Sequence, residues 1–517
     1  MKRASRLLTY VLVSSLLGIT ATACGSSNDK EEAKEEAKPS ASASVSAAPA
    51  TAANLPALKR LGVWQAEDYN TYPVAKMLEE KTGYKVQYDT LPQDKATDKL
   101  NLLIASGESY DVISMYPDMA AYFNYAQSGA LIDLTPLIDK YGPNIKQAVS
   151  QSSFDAVKVD GKIYAIPNKG GAAIGNGILM RTDWLEKLNL KMPTTTAEFE
   201  AVLKAFKEKD PAGNGALNVP MTINSDQEMI ENLVGAFGLP NEWNVLDGKL
   251  VPRVLDPAYK DYVNYVSGLY KQGFLDKEFV ANKSATAMEK FSSGKAGAMV
   301  VNWADIPSIK DALAKTANGA AISFIPALKG PSGKSGYGIY AGLGQISIIP
   351  KSSKHPEDAI KWVNAMLEPN TFKELSIGVE GKHYTNNNGA MKPILPAFND
   401  ERNRANNFMV GGDEKNSSKY FDVRVRKSEV MFEAYDYLNN KQPAELKIMN
   451  ELSMTPYLPV HSKNNPQLKT MVKEYTTKLI AGVENLSGLE QFQQKYKEAG
   501  AEASMKEIND WFTSKGK

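Results

Sequence analysis

Residues 209–220, KDPAGNGALNVP, have the residue types and spacing of a calcium-binding loop. Asp210, Asn214 and Gly215 occupy its first, fifth and sixth positions, and Asn218 occupies the ninth. In such loops alternate side-chain oxygens point inward, and the glycine allows the sharp turn. The segment is therefore a candidate metal site, and its chemistry would be structural rather than catalytic.

Two positions of this loop depart from the calcium pattern. Ala212 stands where a second carboxylate is expected, and Met221 stands where a bidentate Glu is expected. Asp210 is then the only formal charge, and calcium affinity in such loops depends on the number of charged ligands. We favour a turn that holds its shape without metal, and the alternative is calcium binding in the millimolar range at best.

The remaining reactive side chains give no catalytic signature. The chain has one Cys and three scattered His, so neither a disulfide nor a His-rich zinc site is expected. No Ser/His/Asp or Cys/His arrangement is present, and the Gly-rich segment 170–177 lacks the Gly-Lys-Ser/Thr of a phosphate loop. We predict no cofactor and no enzymatic activity. A carboxylate pair among the 59 acidic residues keeps a surface glycosidase as an alternative.

The length and net charge of the chain limit the possible number of domains and the possible binding partners. The chain has 517 residues, of which 43% are hydrophobic, so two domains with real cores are possible. Its net charge is +1, and it shows no basic patch interleaved with aromatic residues. Binding to nucleic acid is therefore not expected.

Strand-like and helix-like segments alternate through the body of the chain, which is typical of an α/β fold. Residues 58–64, 85–91 and 110–117 read as strands, and helical patterns separate them. Residues 193–211 predict a helix with a capping box between Thr195 and Glu198.

Candidate binding residues lie next to the predicted strands, because ligands of open α/β sheets bind beyond the carboxyl ends of strands. Flat aromatic faces could cover the CH surface of a sugar, and fixed polar groups could bind its hydroxyls. The candidates are Trp64, Tyr116, Asp118, Asn168, Arg181, Trp303, Asp305 and Tyr340.

Each of these candidates also has a structural interpretation. An aromatic residue at a strand end often packs at the rim of a hydrophobic core. Arg181 could form an ion pair with Asp183 instead of binding a ligand. Three other tryptophans, Trp184, Trp362 and Trp511, we interpret as packing residues.

The N-terminus has the pattern of an exported lipoprotein. Positive residues precede an apolar stretch at residues 7–20, and small residues then lead into Cys24. This resembles a lipobox, so residues 1–23 are predicted to be a signal peptide and Cys24 the diacylated anchor. The alternative is an ordinary signal peptide with an incidental Cys. Residues 24–54, rich in Ala, Ser, Glu and Lys, predict a disordered tether.

Several segments together resemble a known family, the extracellular solute-binding proteins (family 1) of ABC transporters, and in particular its Gram-positive oligosaccharide-type lipoproteins. They are DGKIYAIPN at 160–168, ILMRTDWLEKLNLKMPTTTAEFEAVLKAF at 178–206, FSSGKAGAMVVNWAD at 291–305, ISFIPALKGPSG at 322–333 and GLGQISIIPKSSKHPEDAIKWVNAML at 342–367. The resemblance covers most of residues 55–517, and Trp303 falls at the family's ligand-facing aromatic position.

The resemblance implies a two-domain fold of the periplasmic-binding-protein type (class II), with discontinuous domains and a multi-strand hinge. Domain one would comprise residues 55–166 and 330–369. Domain two would comprise residues 167–329 and 370–517.

The resemblance implies that the protein is a receptor, held on the outer face of the cell membrane by its N-terminal lipid. A monomer would close around a small solute, with an oligosaccharide expected, and deliver it to the membrane permease of an ABC transporter. A surface-anchored carbohydrate-active enzyme and a sensor partner of a membrane kinase remain alternatives.

Overall fold

The computed structural model describes residues 55–93, 95–171 and 173–515. The predicted signal peptide, Cys24 and the tether lie outside these residues. Within the described ranges, no helix combines the length and the apolar character that crossing a membrane requires.

The strands alternate with helices, as the sequence predicts. In chain order they are β1 (Leu58–Gly62), β2 (Val86–Thr90), β3 (Val112–Met115), β4 (Lys158–Val159), β5 (Lys162–Ile163), β6 (Ala165–Lys169), β7 (Asn176–Arg181), β8 (Val219–Thr222), β9 (Trp243–Leu246), β10 (Lys249–Pro252), β11 (Ala296–Asn302), β12 (Ile322–Phe324), β13 (Tyr337–Ile339), β14 (Leu343–Ile348), β15 (Tyr384–Asn387), β16 (Ala390–Pro393) and β17 (Lys447–Met449).

The helices of the described residues are α1 (Pro73–Thr82), α2 (Ala96–Ser106), α3 (Met119–Gln127), α4 (Thr135–Tyr141), α5 (Pro143–Ala148), α6 (Gln151–Ala156), α7 (Thr182–Lys187), α8 (Thr196–Lys209), α9 (Glu231–Ala236), α10 (Ala258–Lys271), α11 (Ser284–Ser292), α12 (Ile306–Thr316), α13 (Pro356–Met366), α14 (Pro369–Ile377), α15 (Ala397–Arg402), α16 (Ser417–Val425), α17 (Glu429–Asn439), α18 (Pro459–Ile480), α19 (Leu489–Tyr496) and α20 (Glu502–Ser514).

The first sheet has five strands in the order β2-β1-β3-β14-β6. Strands β1, β2 and β3 are parallel, and β14 runs antiparallel to both β3 and β6. Strands β1, β2, β3 and β6 therefore end at one edge, and β14 begins at that same edge.

The second sheet has four strands in the order β12-β7-β11-β8. Strand β11 is parallel to β8 and antiparallel to β7, and β12 is also antiparallel to β7. The carboxyl ends of β8, β11 and β12 therefore share an edge with the start of β7.

The two sheets and their helices give the mixed α/β architecture that the sequence predicts. Strand β14 lies in the first sheet although residues 176–324 build the second, so the chain leaves the first sheet and returns to it. Separate cores support this division. Met180, Phe199 and Tyr262 are buried with the second sheet, and Val112 and Trp362 are buried with the first. The exact domain boundaries stay a prediction.

One segment that the sequence placed in domain two packs against the first sheet instead. The sequence assigned all of residues 370–517 to domain two, but Phe372, Leu375 and Phe408 are buried in the same core as Leu58 and Val74 of the first sheet. Helix α14 also packs directly against α1. The segment through α16 therefore belongs with the first sheet, because its apolar side chains cover the helices on that sheet.

Helix α8 begins as predicted. Thr195 Oγ1 accepts a hydrogen bond from the backbone N–H of Glu198, and the Glu198 carboxylate accepts one from the backbone N–H of Thr195. This capping box satisfies backbone donors that the helix itself cannot pair.

His383 is a buried structural residue that is only 1% exposed. Its Nδ1 accepts a hydrogen bond from the backbone N–H of Val379 at 2.9 Å, and its Nε2 lies 3.0 Å from Glu401 Oε2. With Nδ1 acting as the acceptor, Nε2 carries the proton and donates to Glu401. Burial lowers the pKa of His383, although the hydrogen bond to Glu401 acts in the opposite direction.

We expect His383 to make the protein less stable as the pH falls from 7 to 5. Because its pKa is lower in the folded chain, the unfolded chain binds the proton first, below its own pKa of about 6.5. This stabilisation is complete above that pH and is lost as the pH falls through the folded pKa, with a slope of at most about 1.4 kcal/mol per pH unit.

Urea unfolding across this pH range measures the effect. The variant His383→Asn keeps an acceptor for Val379 but does not titrate, so its free energy of unfolding should depend less on pH. Equal pH dependence in both proteins would contradict the assignment.

Candidate functional site

Two predicted aromatic residues meet at the edge where the strands of the first sheet end. Trp64 lies two residues beyond β1, and Tyr116 directly follows β3. Both line one cavity of about 280 Å³, together with Leu91 and Pro92 beyond β2. Their side chains are 43% and 63% exposed, so a large part of each ring remains accessible to a ligand.

Tyr340 lies at the same edge, because it directly precedes the loop into β14. It is 57% exposed and lines a second, larger cavity of about 550 Å³. Asn168 also lies near this edge, in β6, opposite Gln345 of β14.

Asp118 has a structural role in this region. Its Oδ1 accepts a hydrogen bond from the backbone N–H of Ala121 at 3.0 Å and so caps helix α3. The aromatic residues thus form the exposed part of this edge, and Asp118 helps to fix the helix behind Tyr116.

Trp303 lies just beyond β11, at the shared edge of the second sheet. It is half-buried, and its ring meets the rings of Tyr435 and Phe421 edge-on at centroid distances of 5.1 and 6.1 Å. Asp305 ends the short turn that Trp303 begins, and it too is half-buried. Since Phe421 lies on α16, whose core belongs with the first sheet, Trp303 touches elements of both parts of the chain.

The structure does not bring Arg181 together with the other candidates. Arg181 ends β7, whereas Asn176, opposite Asn302, begins it, so Arg181 lies at the other edge of the sheet. The guanidinium is 4% exposed and donates from Nε and from a terminal nitrogen to Asp183, at 2.8 and 2.6 Å. It also lies over the ring of Trp184, so its contacts are those of a packing residue.

The larger cavity contains charged residues that the sequence analysis missed. They come from the loop after β8 and the start of α9, from the residue before β9, from the residue after β10, and from helix α18. The charged residues are Asp226, Glu228, Glu231, Glu242, Arg253, Lys469 and Lys473. The strand-end rule could have found the first three, but the four-residue β8 was not recognised as a strand.

Two carboxyl groups of this cavity are unusually placed. Glu228 is 9% exposed, and its Oε2 has no hydrogen-bond partner among the described residues. Burial raises the pKa of both Glu228 and Glu231, and nearby cations act in the opposite direction: Lys473 and Arg253 on Glu228, and Arg253 on Glu231. By contrast, Asp226 is paired with Lys473.

Glu231 connects this cavity with the edge of the second sheet. A hydrogen bond to Asn176 lowers the pKa of Glu231, against the larger effect of burial. Asn176 in turn accepts a hydrogen bond from Asn302 Nδ2 at 3.3 Å, and Asn302 Oδ1 accepts one from the backbone N–H of Ala304, next to Trp303. Tyr340 and Glu231 therefore line the same cavity, and Glu231 is connected through Asn176 and Asn302 to the edge at which Trp303 lies.

Comparison with known families decides the class of protein. The model of a family described as bacterial extracellular solute-binding protein matches residues 74–389. The chain belongs to this family.

Individual relatives extend the match over nearly the whole chain. Lipoprotein LipO of Bacillus subtilis is 28% identical over 465 residues, which cover 86% of this chain and 89% of LipO. The polygalacturonan/rhamnogalacturonan-binding protein YtcQ of Bacillus subtilis is 25% identical over 464 residues, which cover 87% and 90% of the two chains.

A solved structure supports the fold. The Streptococcus pneumoniae ABC-transporter substrate-binding protein FusA in complex with kestose has a TM-score of 0.65 and 21% identity. The match covers 89% of this chain and 99% of that chain. The two-domain fold of solute-binding proteins predicted from the sequence is thereby confirmed.

The calcium-like loop of this solute-binding protein is held by its own hydrogen bonds. Both carboxylate oxygens of Asp210 accept backbone N–H groups, from Asn214 at 3.0 Å and from Gly215 at 2.7 Å. The amide nitrogens of Asn214 and Asn218 donate to the backbone carbonyls of Gly294 and Phe206.

This loop offers a poor set of ligands for calcium. Asp210 is its only acid, and no group of three or more His, Cys, Asp or Glu among the described residues is arranged to hold a metal ion. The residues present do not fit the charge that a calcium site needs.

We expect Asp210→Ala to destabilise the protein equally with and without calcium. The variant loses the acceptors for two backbone N–H groups, which costs about 1–2 kcal/mol and lowers the Tm by a few degrees. Thermal unfolding in calcium and in EDTA measures this.

Asp247→Ala is the matched control, because Asp247 also has a positive φ, of 49° against 40° for Asp210, but it is exposed in a hairpin turn. A calcium-dependent rise in the Tm of the wild-type chain that disappears in Asp210→Ala would contradict the metal-free turn.

Proposed function

We propose that this solute-binding protein captures an oligosaccharide between the edges of its two sheets and delivers it to an ABC transporter permease. The observation that carries the proposal is the exposure of Trp64, Tyr116 and Tyr340 along one edge of the first sheet. Flat aromatic rings stack on the CH faces of sugars, and a solute-binding cleft needs such faces together with a few fixed polar groups.

The named relatives support an oligosaccharide as the solute. FusA of Streptococcus pneumoniae is named a fructooligosaccharide ABC transporter substrate-binding protein and is 30% identical over 327 residues, 59% of each chain. YtcQ is named for binding polygalacturonan and rhamnogalacturonan. The same names support a role in transport rather than in catalysis, which disfavours the glycosidase alternative.

The proposed binding residues divide into two groups. Trp64, Tyr116 and Tyr340 provide the aromatic wall, and Trp303 with Asp305 lies at the opposite edge. Asn168 is a polar candidate near the aromatic wall. Arg181 is not part of the proposed site, because its guanidinium is buried on the far edge and paired with Asp183.

A thermal-unfolding screen of the full chain against neutral and acidic oligosaccharides tests the proposal. A ligand that binds only the folded protein stabilises it by about 2.7 kcal/mol at a hundredfold excess over its Kd. Stabilisation by at least one oligosaccharide supports the proposal. No stabilisation by any of them, combined with stabilisation by peptides or another polar solute, would overturn it.

We expect Trp64→Ala and Tyr340→Ala each to weaken binding of the oligosaccharide found in the screen by about tenfold, which corresponds to ~1.4 kcal/mol. Removing a ring removes the apolar face on which a sugar stacks, and both rings are exposed enough for the fold to tolerate the loss. Isothermal titration calorimetry measures the Kd.

Trp511→Ala is the control for these variants, because Trp511 is a half-buried tryptophan on α20 away from both cavities. Equal affinities for wild type and the two site variants, or an equal loss in the control, would contradict the assignment of the aromatic wall.

The proposed location is the outer face of the cell membrane, with the lipid on Cys24 as the anchor. We expect Cys24→Ala to move the protein from the membrane fraction into the medium and to abolish incorporation of labelled palmitate. Cell fractionation followed by immunoblotting measures the distribution. A variant that stays in the membrane fraction would contradict lipid anchoring through Cys24.

A further inference from the structure

The cavity of about 550 Å³ has charges that the aromatic wall and the family membership do not explain. It lies between Tyr340, at the edge of the first sheet, and Glu231, which is connected through Asn176 and Asn302 to the edge of the second. A solute that reaches both edges would therefore place one of its units here. The inference below rests on the proposed function and concerns the chemistry of that unit.

Most charges that line this cavity are already neutralised. Asp226 forms an ion pair with Lys473, and Glu242 forms one with Lys469 at 3.1 Å. The side chains of both pairs are partly exposed. They leave no spare lysine for a further anion.

Glu228 and Glu231 remain without such a partner. Among the described residues neither forms an ion pair with a lysine or an arginine. At longer range Lys473, which is already paired with Asp226, and Arg253 act on Glu228, and Arg253 acts on Glu231. Arg253 is thus shared between one buried and one half-buried carboxyl group. One oxygen of Glu228 is buried without any hydrogen-bond partner, which is costly unless a donor group arrives.

This arrangement accepts hydrogen-bond donors and disfavours acids. A sugar hydroxyl can donate to a carboxyl oxygen, whether that group is ionised or neutral. A uronate would instead bring a third carboxylate next to two that are already poorly compensated, and like charges in a buried site repel strongly.

We propose that the larger cavity binds an uncharged, hydroxyl-rich sugar unit, whose hydroxyl groups donate to Glu228 and Glu231, and that it excludes uronate units. The chain would then differ in substrate class from YtcQ, whose name gives polygalacturonan and rhamnogalacturonan as ligands. The aromatic wall would contribute affinity to either class, and the carboxyl pair would select between them.

The test compares the two substrate classes at matched length on the full chain. Calorimetric titrations use neutral xylo-oligosaccharides and fructo-oligosaccharides on one side and oligogalacturonides on the other. We expect at least one neutral class to bind with a Kd at least tenfold lower than that of the oligogalacturonides.

Isosteric Glu-to-Gln variants test whether the two carboxyl groups cause the preference for neutral oligosaccharides. Glu228→Gln and Glu231→Gln should each weaken neutral binding about tenfold, and the double variant should reduce the discrimination against oligogalacturonides. Glu242→Gln is the matched control, since Glu242 lines the same cavity but is already paired with Lys469. Its affinity should change less than twofold. Circular dichroism and the Tm of each variant verify that the fold is retained.

The outcomes separate this inference from the function on which it rests. Tighter binding of oligogalacturonides than of neutral sugars would overturn the inference and leave the receptor function intact. Neutral binding that is weakened by Trp64→Ala but not by either Gln variant would also overturn it, because the solute would then lie elsewhere. Binding of neither class would overturn the inference. The proposed function would fail with it only if no oligosaccharide of the thermal-unfolding screen stabilised the protein and a peptide or another polar solute did.

Discussion

Strand β14 pairs with β3 and β6, which lie far from it in the sequence. The course of the chain between the two sheets depends on this pairing. Its Ile346 and Ser347 lie opposite Met115 and Ser114 of β3 on one side, and opposite residues of β6 on the other. The last four residues of the strand are buried, and a hydrogen bond of 2.8 Å joins the hydroxyls of Ser114 and Ser347. This contact favours the observed register, since a slip of one residue would bury the Ser347 hydroxyl away from Ser114, although Ser114 would keep its hydrogen bond from Arg60.

This pairing requires the chain to leave the first sheet and to return to it. The chain must leave the first sheet after β6, build the second sheet, and return through β13 before β14 can form. The return is possible because two backbones pass very close together at glycines. A Cβ on Gly235 of α9 would lie 1.8 Å from the carbonyl oxygen of Gly336, just before β13. The helix that carries Glu231 is thereby held directly against the strand that leads to Tyr340.

The sequence predicted those features that depend on local pattern. Strand ends pointed to Trp64 and Tyr116, and the structure places both at one edge because the parallel strands of the first sheet end there. Their role in binding stays a prediction. The capping box at Thr195 was also local and was confirmed. In each case the decisive interaction lies within a few residues of the motif.

The failures have a common physical cause, which is that strand direction and long-range packing leave no local signal. Arg181 follows a strand as clearly as Trp303 does, but β7 runs antiparallel to β11, so its carboxyl end lies on the far edge. Glu228 and Glu231 follow β8, whose four residues include Pro220 and do not read as a strand. Residues 370–425 were placed in the wrong part of the fold, because only the tertiary core shows that Phe372 and Phe408 cover the first sheet.

The two walls of the proposed site contribute in different ways to recognition. An aromatic ring gains energy from any sugar that offers a CH face, so Trp64, Tyr116 and Tyr340 would contribute affinity without much selectivity. Buried polar groups discriminate far more strongly, because a ligand that fails to pair them leaves their desolvation uncompensated. Glu228 already has one unpaired oxygen in the free protein, so a hydroxyl placed there would relieve an existing cost. The aromatic rings can contribute affinity and the carboxyl groups selectivity only if one solute contacts both groups. A solute enclosed between the two sheet edges would do so.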